Sequence, residues 1–83
     1  MAKVTIYSKT YCPFCVRAKS LLESKGADFE EIMVEKASAF AELKERTSMR
    51  TVPQIFINDE LIGGYTELAA LDEEGRLDEL LKS

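Results

Sequence analysis

Histidine and tryptophan are absent from this 83-residue chain. Without histidine there is no imidazole to act as acid, base or metal ligand, and no cysteine–histidine nucleophile. Cysteine occurs only at Cys12 and Cys15. Two thiolates fall short of the four ligands a structural zinc ion needs, so no metal site is expected in a monomer. No apolar run approaches the length that spans a bilayer. Residues 1–7 turn into a strand pattern with no apolar leader, so a cytoplasmic location is expected. The net charge of −4 argues against nucleic acid as the main partner. With 83 residues, 46% of them hydrophobic and 31% charged, the chain is expected to form one domain over 1–83 with one modest core.

The charge that is present is unevenly placed. Residues 1–25 carry five basic side chains against Glu23 alone, a net +4, and the remainder carries −8. Both cysteines lie in the cationic end, where a positive field lowers thiol pKa and attracts anions. They follow a short strand pattern and precede a helical one, so the dithiol falls at a strand-to-helix turn. Cys12 is placed near the helix N-cap, with Pro13 in the first turn, where a missing N–H costs little. The free N–H groups of that turn favour a thiolate at Cys12, and Cys15 sits one turn inward, poised to resolve a mixed disulfide. A purely structural bridge is a poorer account, because so short a loop hardly restricts the unfolded chain. A Cys-x-x-Cys pair in a reducing compartment therefore reads as redox chemistry.

The rest of the chain supplies a frame for that centre. Val4, Ile6 and Tyr7 predict a strand, and Cys15, Ala18, Leu21, Leu22 and Lys25 follow helical spacing up to a stop at Gly26. Residues 29–34 predict a second strand. Residues 38–47 predict a helix with Phe40 and Leu43 inward and Glu42 paired with Arg46. Val52–Ile57 is a strand led by proline, joined through Asn58-Asp59 to Leu61-Ile62 as a hairpin. Thr66 suits the N-cap of a helix through Leu71, with Glu67 in its first turn, and Leu77, Leu80 and Leu81 form a last amphipathic turn. Leu21, Leu22, Phe29, Phe40, Ile55, Phe56 and Ile57 are expected in the core. The order β-α-β-α-β-β-α implies an α/β fold: a mixed four-stranded sheet, half parallel and half antiparallel, flanked by about three helices.

Three segments in register then resemble the glutaredoxin family: Cys12-Pro13-Phe14-Cys15, Thr51-Val52-Pro53 and Gly63-Gly64-Tyr65-Thr66-Glu67. The likeness spans essentially the whole chain and extends to Leu71-Asp72 and the closing Leu77-Asp78-Glu79-Leu80-Leu81 of small bacterial dithiol members. On their own, a proline at a strand start, a Gly-Gly turn and an exposed lysine would be ordinary structural features. The resemblance implies more. It implies a thioredoxin-like fold, with glutathione as cosubstrate and no tightly bound cofactor, and reduction of disulfides and glutathione mixed disulfides. It makes Pro53 cis and gives the Val52 backbone to the cysteinyl part of glutathione. Gly64 becomes a close-approach position, and Thr66 marks the helix terminus that receives the γ-glutamyl carboxylate. Lys9 and, more weakly, Arg50 become partners of the glycine carboxylate, and Phe14, standing where many relatives have tyrosine, packs over the tripeptide. Glu67 becomes the partner of the γ-glutamyl ammonium; the family usually has Asp at that position and often Cys or Ser at Thr66, a departure in detail.

The partners so implied are glutathione and disulfide-bonded or glutathionylated proteins, with ribonucleotide reductase a family expectation only, and the chain is expected to be a monomer. Two other functions fit the same dithiol. One is a thioredoxin-type electron carrier reduced by a flavoprotein, against which Lys9, Gly63-Gly64 and Thr66 argue. The other is a carrier of a [2Fe–2S] cluster held between two protomers by Cys12 and two glutathiones, against which Pro13 argues, since relatives that do this have a smaller residue there.

Overall fold

The computed structural model describes residues 2–82; Met1 and Ser83, the ends of the expected 1–83 span, lie outside the described residues. Strand β1 (Val4–Ser8) alternates strictly, with Val4, Ile6 and Ser8 buried and Thr5 and Tyr7 half-buried on the other face. This period-two pattern gives the sheet two faces. Helix α1 (Pro13–Ser24) buries Cys15, Ala18 and Leu22 along one stripe. It ends at Lys25, after which Gly26 takes φ +69, the left-handed position that glycine fills without steric cost.

Strand β2 (Glu30–Met33) returns parallel to β1, pairing Thr5 with Glu30 and Ser8 with Met33. Helix α2 (Ala37–Thr47) follows, and strands β3 (Gln54–Ile57) and β4 (Glu60–Gly63) form the antiparallel hairpin. Its turn residues Asn58 and Asp59 both have positive φ, 53° and 65°, as a twist-matched two-residue hairpin requires. The sheet order is β2-β1-β3-β4, one parallel contact and two antiparallel ones. Helices α3 (Tyr65–Glu73) and α4 (Leu77–Lys82) complete the chain, so the last helical region is two helices parted at Gly75, where the sequence suggested about three in all.

The core lies between the sheet and α1, α3 and α4. Val4, Ile6, Ala18, Leu22, Ile55, Ile57, Leu68 and Leu77 are all 4% exposed or less and form one cluster. Each large aliphatic here contributes on the order of 2–5 kcal/mol against truncation to alanine. Of the residues expected inside, Leu22, Ile55 and Ile57 are fully buried, while Leu21 and Phe29 pack at the edge of the cluster. Phe40, on α2, and Phe56, on the opposite face of the sheet, are only half-buried. There Phe56 meets Tyr7 edge-on at 5.7 Å, and Arg46 lies 5.9 Å over the Tyr7 ring instead of pairing with Glu42.

Candidate active site

The four residues 9–12 carry the chain from the end of β1 to the start of α1. Cys12 is the N-cap, in extended conformation (φ −111°, ψ 101°), and its Sγ accepts a hydrogen bond from the Cys15 N–H at 3.1 Å. A sulfur thus takes the place that a serine or aspartate oxygen usually fills at a helix start. The two cysteines form a disulfide, with Cα atoms 5.2 Å apart. They differ in access: Cys12 is half-buried and Cys15 is 1% exposed.

Across from Cys12 stands the chain leading into β3. The Val52–Pro53 peptide is cis, as the resemblance implied, and the Val52 carbonyl oxygen lies 3.8 Å from Cys12 Sγ. The approach to this bend is held by Gln54, whose buried Nε2 donates to the carbonyls of Thr51 at 2.9 Å and Met49 at 3.3 Å. Gln54 carried no functional signal in the sequence beyond its place after the proline.

An open groove of about 430 Å³ runs from this bend to the start of α3, lined by Phe14, Met49, Thr51, Val52, Pro53, Gly64, Tyr65, Thr66 and Glu67. Phe14 and Tyr65 face each other across it at 6.2 Å. Eight residues of the three family-like segments are therefore brought together, with Met49 added. Lys9 lines a second cleft on the β2 side of Cys12, with its ammonium 3.7 Å over the Phe40 ring. Arg50 lines a different cavity, with Ala41, Lys44, Glu45 and Ser48, and takes no part in the groove.

The start of α3 also differs from expectation. The N-cap is Gly64, and Thr66 stands inside the first turn. The Gly64 N–H donates to Glu67 Oε1 at 2.6 Å, the glutamate half of a capping box. Glycine is demanded just before it. Gly63 has φ +127°, and a Cβ there would come within 2.8 Å of Glu67 Oε1. A Cβ on Gly64 would meet the Pro53 carbonyl oxygen at 3.5 Å, so this segment runs close beside the cis-proline bend.

A vicinal dithiol with its outer sulfur capping a helix, opposite a cis-proline bend, is a thiol–disulfide exchange centre. The family model described as Glutaredoxin matches residues 4–62. The chain is 51% identical to Glutaredoxin 3 of Escherichia coli K12, over 99% of this chain and 100% of that one. The chain belongs to the glutaredoxin family. It is also 45% identical to a glutaredoxin of Pseudomonas aeruginosa along the full length of both. Among solved glutaredoxins, the buckwheat protein crystallised as a glutathione complex is 32% identical, with TM-score 0.90 over 98% of this chain and 77% of that one. The solution structure of the Brucella melitensis glutaredoxin is 48% identical, with TM-score 0.88 over 99% and 90%. The fold is thus thioredoxin-like, and the activity is that of a thiol–disulfide oxidoreductase.

Charge around the glutaredoxin dithiol is partly paired. Lys19 and Glu31, which both line the cleft with Lys9, form an ion pair at 2.8 Å that holds the Glu31 carboxyl below its ordinary value. Glu35 accepts hydrogen bonds from the Thr10 hydroxyl and N–H, and these pull its carboxyl the same way. No helix among the described residues is long and apolar enough to cross a membrane, and none of their acidic and cysteine side chains cluster as a metal site.

Proposed function

We propose that this glutaredoxin uses glutathione to reduce glutathione mixed disulfides and protein disulfides, with Cys12 as nucleophile and Cys15 as resolving thiol. The observation that carries it is the pairing of an accessible sulfur, capped by a helix N–H, with a groove that ends at a second helix N-terminus. In the reduced protein the Cys15 N–H and the α1 terminus favour the Cys12 thiolate. That thiolate attacks the glutathionyl sulfur of a mixed disulfide. The new bond joins Cys12 to glutathione, and the target's sulfur leaves as a thiolate. A second glutathione thiolate then attacks the glutathionyl sulfur, releasing oxidised glutathione and restoring Cys12. With a protein disulfide, Cys12 forms the mixed disulfide and Cys15 displaces the target sulfur, giving the Cys12–Cys15 bridge. Two glutathiones later reduce that bridge and leave as their own disulfide.

The groove supports a specific pose. Val52 offers its backbone to the cysteinyl residue beside Pro53, with Thr51 at the outer wall. Phe14 and Tyr65 flank the tripeptide, and Gly64 lets it approach closely. The γ-glutamyl carboxylate meets the N–H groups of the first turn of α3, at Tyr65 and Thr66. Glu67 commits one oxygen to Gly64 and has the other for the γ-glutamyl ammonium. Lys9 is the cation assigned to the glycine carboxylate, reached by leaving Phe40; Arg50, facing elsewhere, is assigned no contact. The protein is proposed to act as a cytoplasmic monomer over 1–83, with no tightly bound cofactor and with disulfide-bonded or glutathionylated proteins as partners.

The test is turnover of a small glutathione mixed disulfide with NADPH, glutathione and glutathione reductase, set against NADPH with thioredoxin reductase. Turnover in the first system and none in the second is expected. Turnover only with thioredoxin reductase would overturn the assignment of glutathione.

A further inference from the structure

Residues 9–12 decide where the α1 tip, and with it Cys12, stands. This linker contains a costly residue. Tyr11 has φ +59°, a left-handed conformation worth roughly 1–2 kcal/mol against a non-glycine residue. Its ring is 98% exposed, so no packing offsets that cost. What holds the linker comes from the far end of β2. The Val34 N–H donates to the Ser8 carbonyl at 2.9 Å, which fixes the β2 exit against the end of β1. One residue on, the Glu35 carboxylate takes both the N–H and the hydroxyl of Thr10 at 2.5 Å. Thr10 and Glu35 thus extend the β1–β2 ladder by one side-chain rung and clamp the residue just before Tyr11.

The charge of Glu35 works against the chemistry. Its carboxylate is felt by Lys9, a residue of the cationic segment that favours the Cys12 thiolate, and so offsets part of that positive field. Geometry and charge therefore act in opposite directions on Cys12, which makes them separable.

We propose that Glu35 is a positioning residue for the reaction: through Thr10 it fixes the Lys9–Cys12 linker and so keeps the Cys12 sulfur on the N-terminus of α1. The inference rests on Cys12 being the nucleophile. It is independent of glutathione, because the clamp acts on the protein before any substrate binds.

The experiment reads Cys12 directly, by the rate of iodoacetamide alkylation of the fully reduced protein from pH 4 to 10, in wild type, Glu35→Ala, Glu35→Gln and Thr10→Ala. Hydrogen exchange of the Thr10 amide is followed in parallel. Glu35→Ala should slow Cys12 alkylation at pH 7 by about threefold, the scale of one helix-terminus interaction. The alkylation midpoint should move to higher pH, and Thr10 exchange should speed by about tenfold, the scale of one lost hydrogen bond. Glu35→Gln keeps an acceptor oxygen and removes the charge, so alkylation should stay at or above the wild-type rate. Thr10→Ala keeps the N–H bond alone and should fall between. Equal acceleration of alkylation in Glu35→Ala and Glu35→Gln would mean that only the charge matters and would overturn the proposal. So would an unchanged Thr10 exchange rate with unchanged alkylation in Glu35→Ala. A protein whose Cys12 alkylates as expected yet fails to turn over with glutathione would refute the glutathione assignment and leave the clamp standing.

Discussion

The two halves of this glutaredoxin hold the dithiol in different ways. The parallel half, β1-α1-β2, presents Cys12 on a helix tip reached by a linker whose anchors are side chains: Glu35 on Thr10, and the Lys9 ammonium on Phe40. The antiparallel half, β3-β4-α3, sets backbone groups along the facing groove, with the Tyr65 ring on one wall. Its elements are the Val52 carbonyl, the cis bend at Pro53, the Gly63-Gly64 segment and the α3 N-terminus, tied by Gln54 and Glu67. A nucleophile needs an adjustable electrostatic setting, which charged side chains supply. A peptide-binding groove needs fixed donors and acceptors at close range, which backbone supplies and glycine permits. Changes in the first half should therefore alter reactivity, and changes in the second should alter recognition and stability.

Removing the sulfurs gives the largest effects. Cys12→Ser should abolish reduction of both substrate types. Cys15→Ser should keep deglutathionylation, since in the proposed mechanism external glutathione resolves the intermediate, and lose most reduction of protein disulfides. Parallel assays on a small glutathione mixed disulfide and on a protein disulfide check this. If Cys15→Ser lost deglutathionylation while Cys12→Ser kept it, the roles of the sulfurs would be reversed.

In the groove half, Gly63→Ala should cost about 2 kcal/mol of stability, because φ +127° is strained for any side chain. The new Cβ would also displace Glu67, found 2.8 Å away, from the α3 cap. The apparent KM for glutathione should rise, while Cys12 alkylation at fixed pH stays at the wild-type rate. A fall in alkylation matching the fall in glutathione use would show that the halves are not separable in this way. Denaturant melts and alkylation rates on the same preparation decide it.

Lys9→Glu probes the opposite half. It should slow Cys12 alkylation and raise the apparent KM for glutathione together, since one charge is proposed to serve both. Loss of the contact with Phe40 adds about 0.5–1 kcal/mol of destabilisation. Unchanged kinetics beside that small loss would make Lys9 a packing residue only.

What was legible in the sequence follows the same division. Cys12 at the helix tip, the hairpin at Asn58-Asp59 and the sequence of four strands along the chain were readable, because each rests on local spacing or turn chemistry. The α3 start was read two residues late. Thr66 is a good capping residue by type, but Gly64 is the cap, and the signal was Glu67 three residues after it. Met49 and Gln54 were missed, because their place in the site depends on how the chain folds back before β3. Phe40 was expected in the core; its position under the ammonium groups of Lys9 and Lys44 comes from tertiary packing that helical periodicity does not encode. Arg50 adjoins Thr51 in sequence, yet turns to a separate cavity. Neighbours in sequence share a site only where the backbone keeps them on one side.

The smallest expected effect concerns the ion pair that floors the Lys9 cleft. Lys19 holds the Glu31 carboxyl below its ordinary value of 4.5, and desolvation opposes this only in part. A carboxyl whose folded value is lowered adds stability above the unfolded value and loses it as pH falls through the folded one. Lys19–Glu31 should therefore contribute fully near neutrality and fade below about pH 4.5. Both side chains are 30% exposed, and screening by solvent limits the contribution to about 0.5 kcal/mol. Glu31→Gln should thus be slightly less stable than wild type at pH 7 and converge with it in acid. Urea midpoints at pH 7, 5 and 3 measure the gap. Because the pair is internally neutral, the substitution leaves Lys19 uncompensated in the cleft it shares with Cys12. Cys12 alkylation should therefore change in the sense of a faster rate, by less than the change from Lys9→Glu and with opposite sign. A gap that persists undiminished at pH 3 would mean that Glu31 stabilises the β2 edge by packing and not by charge.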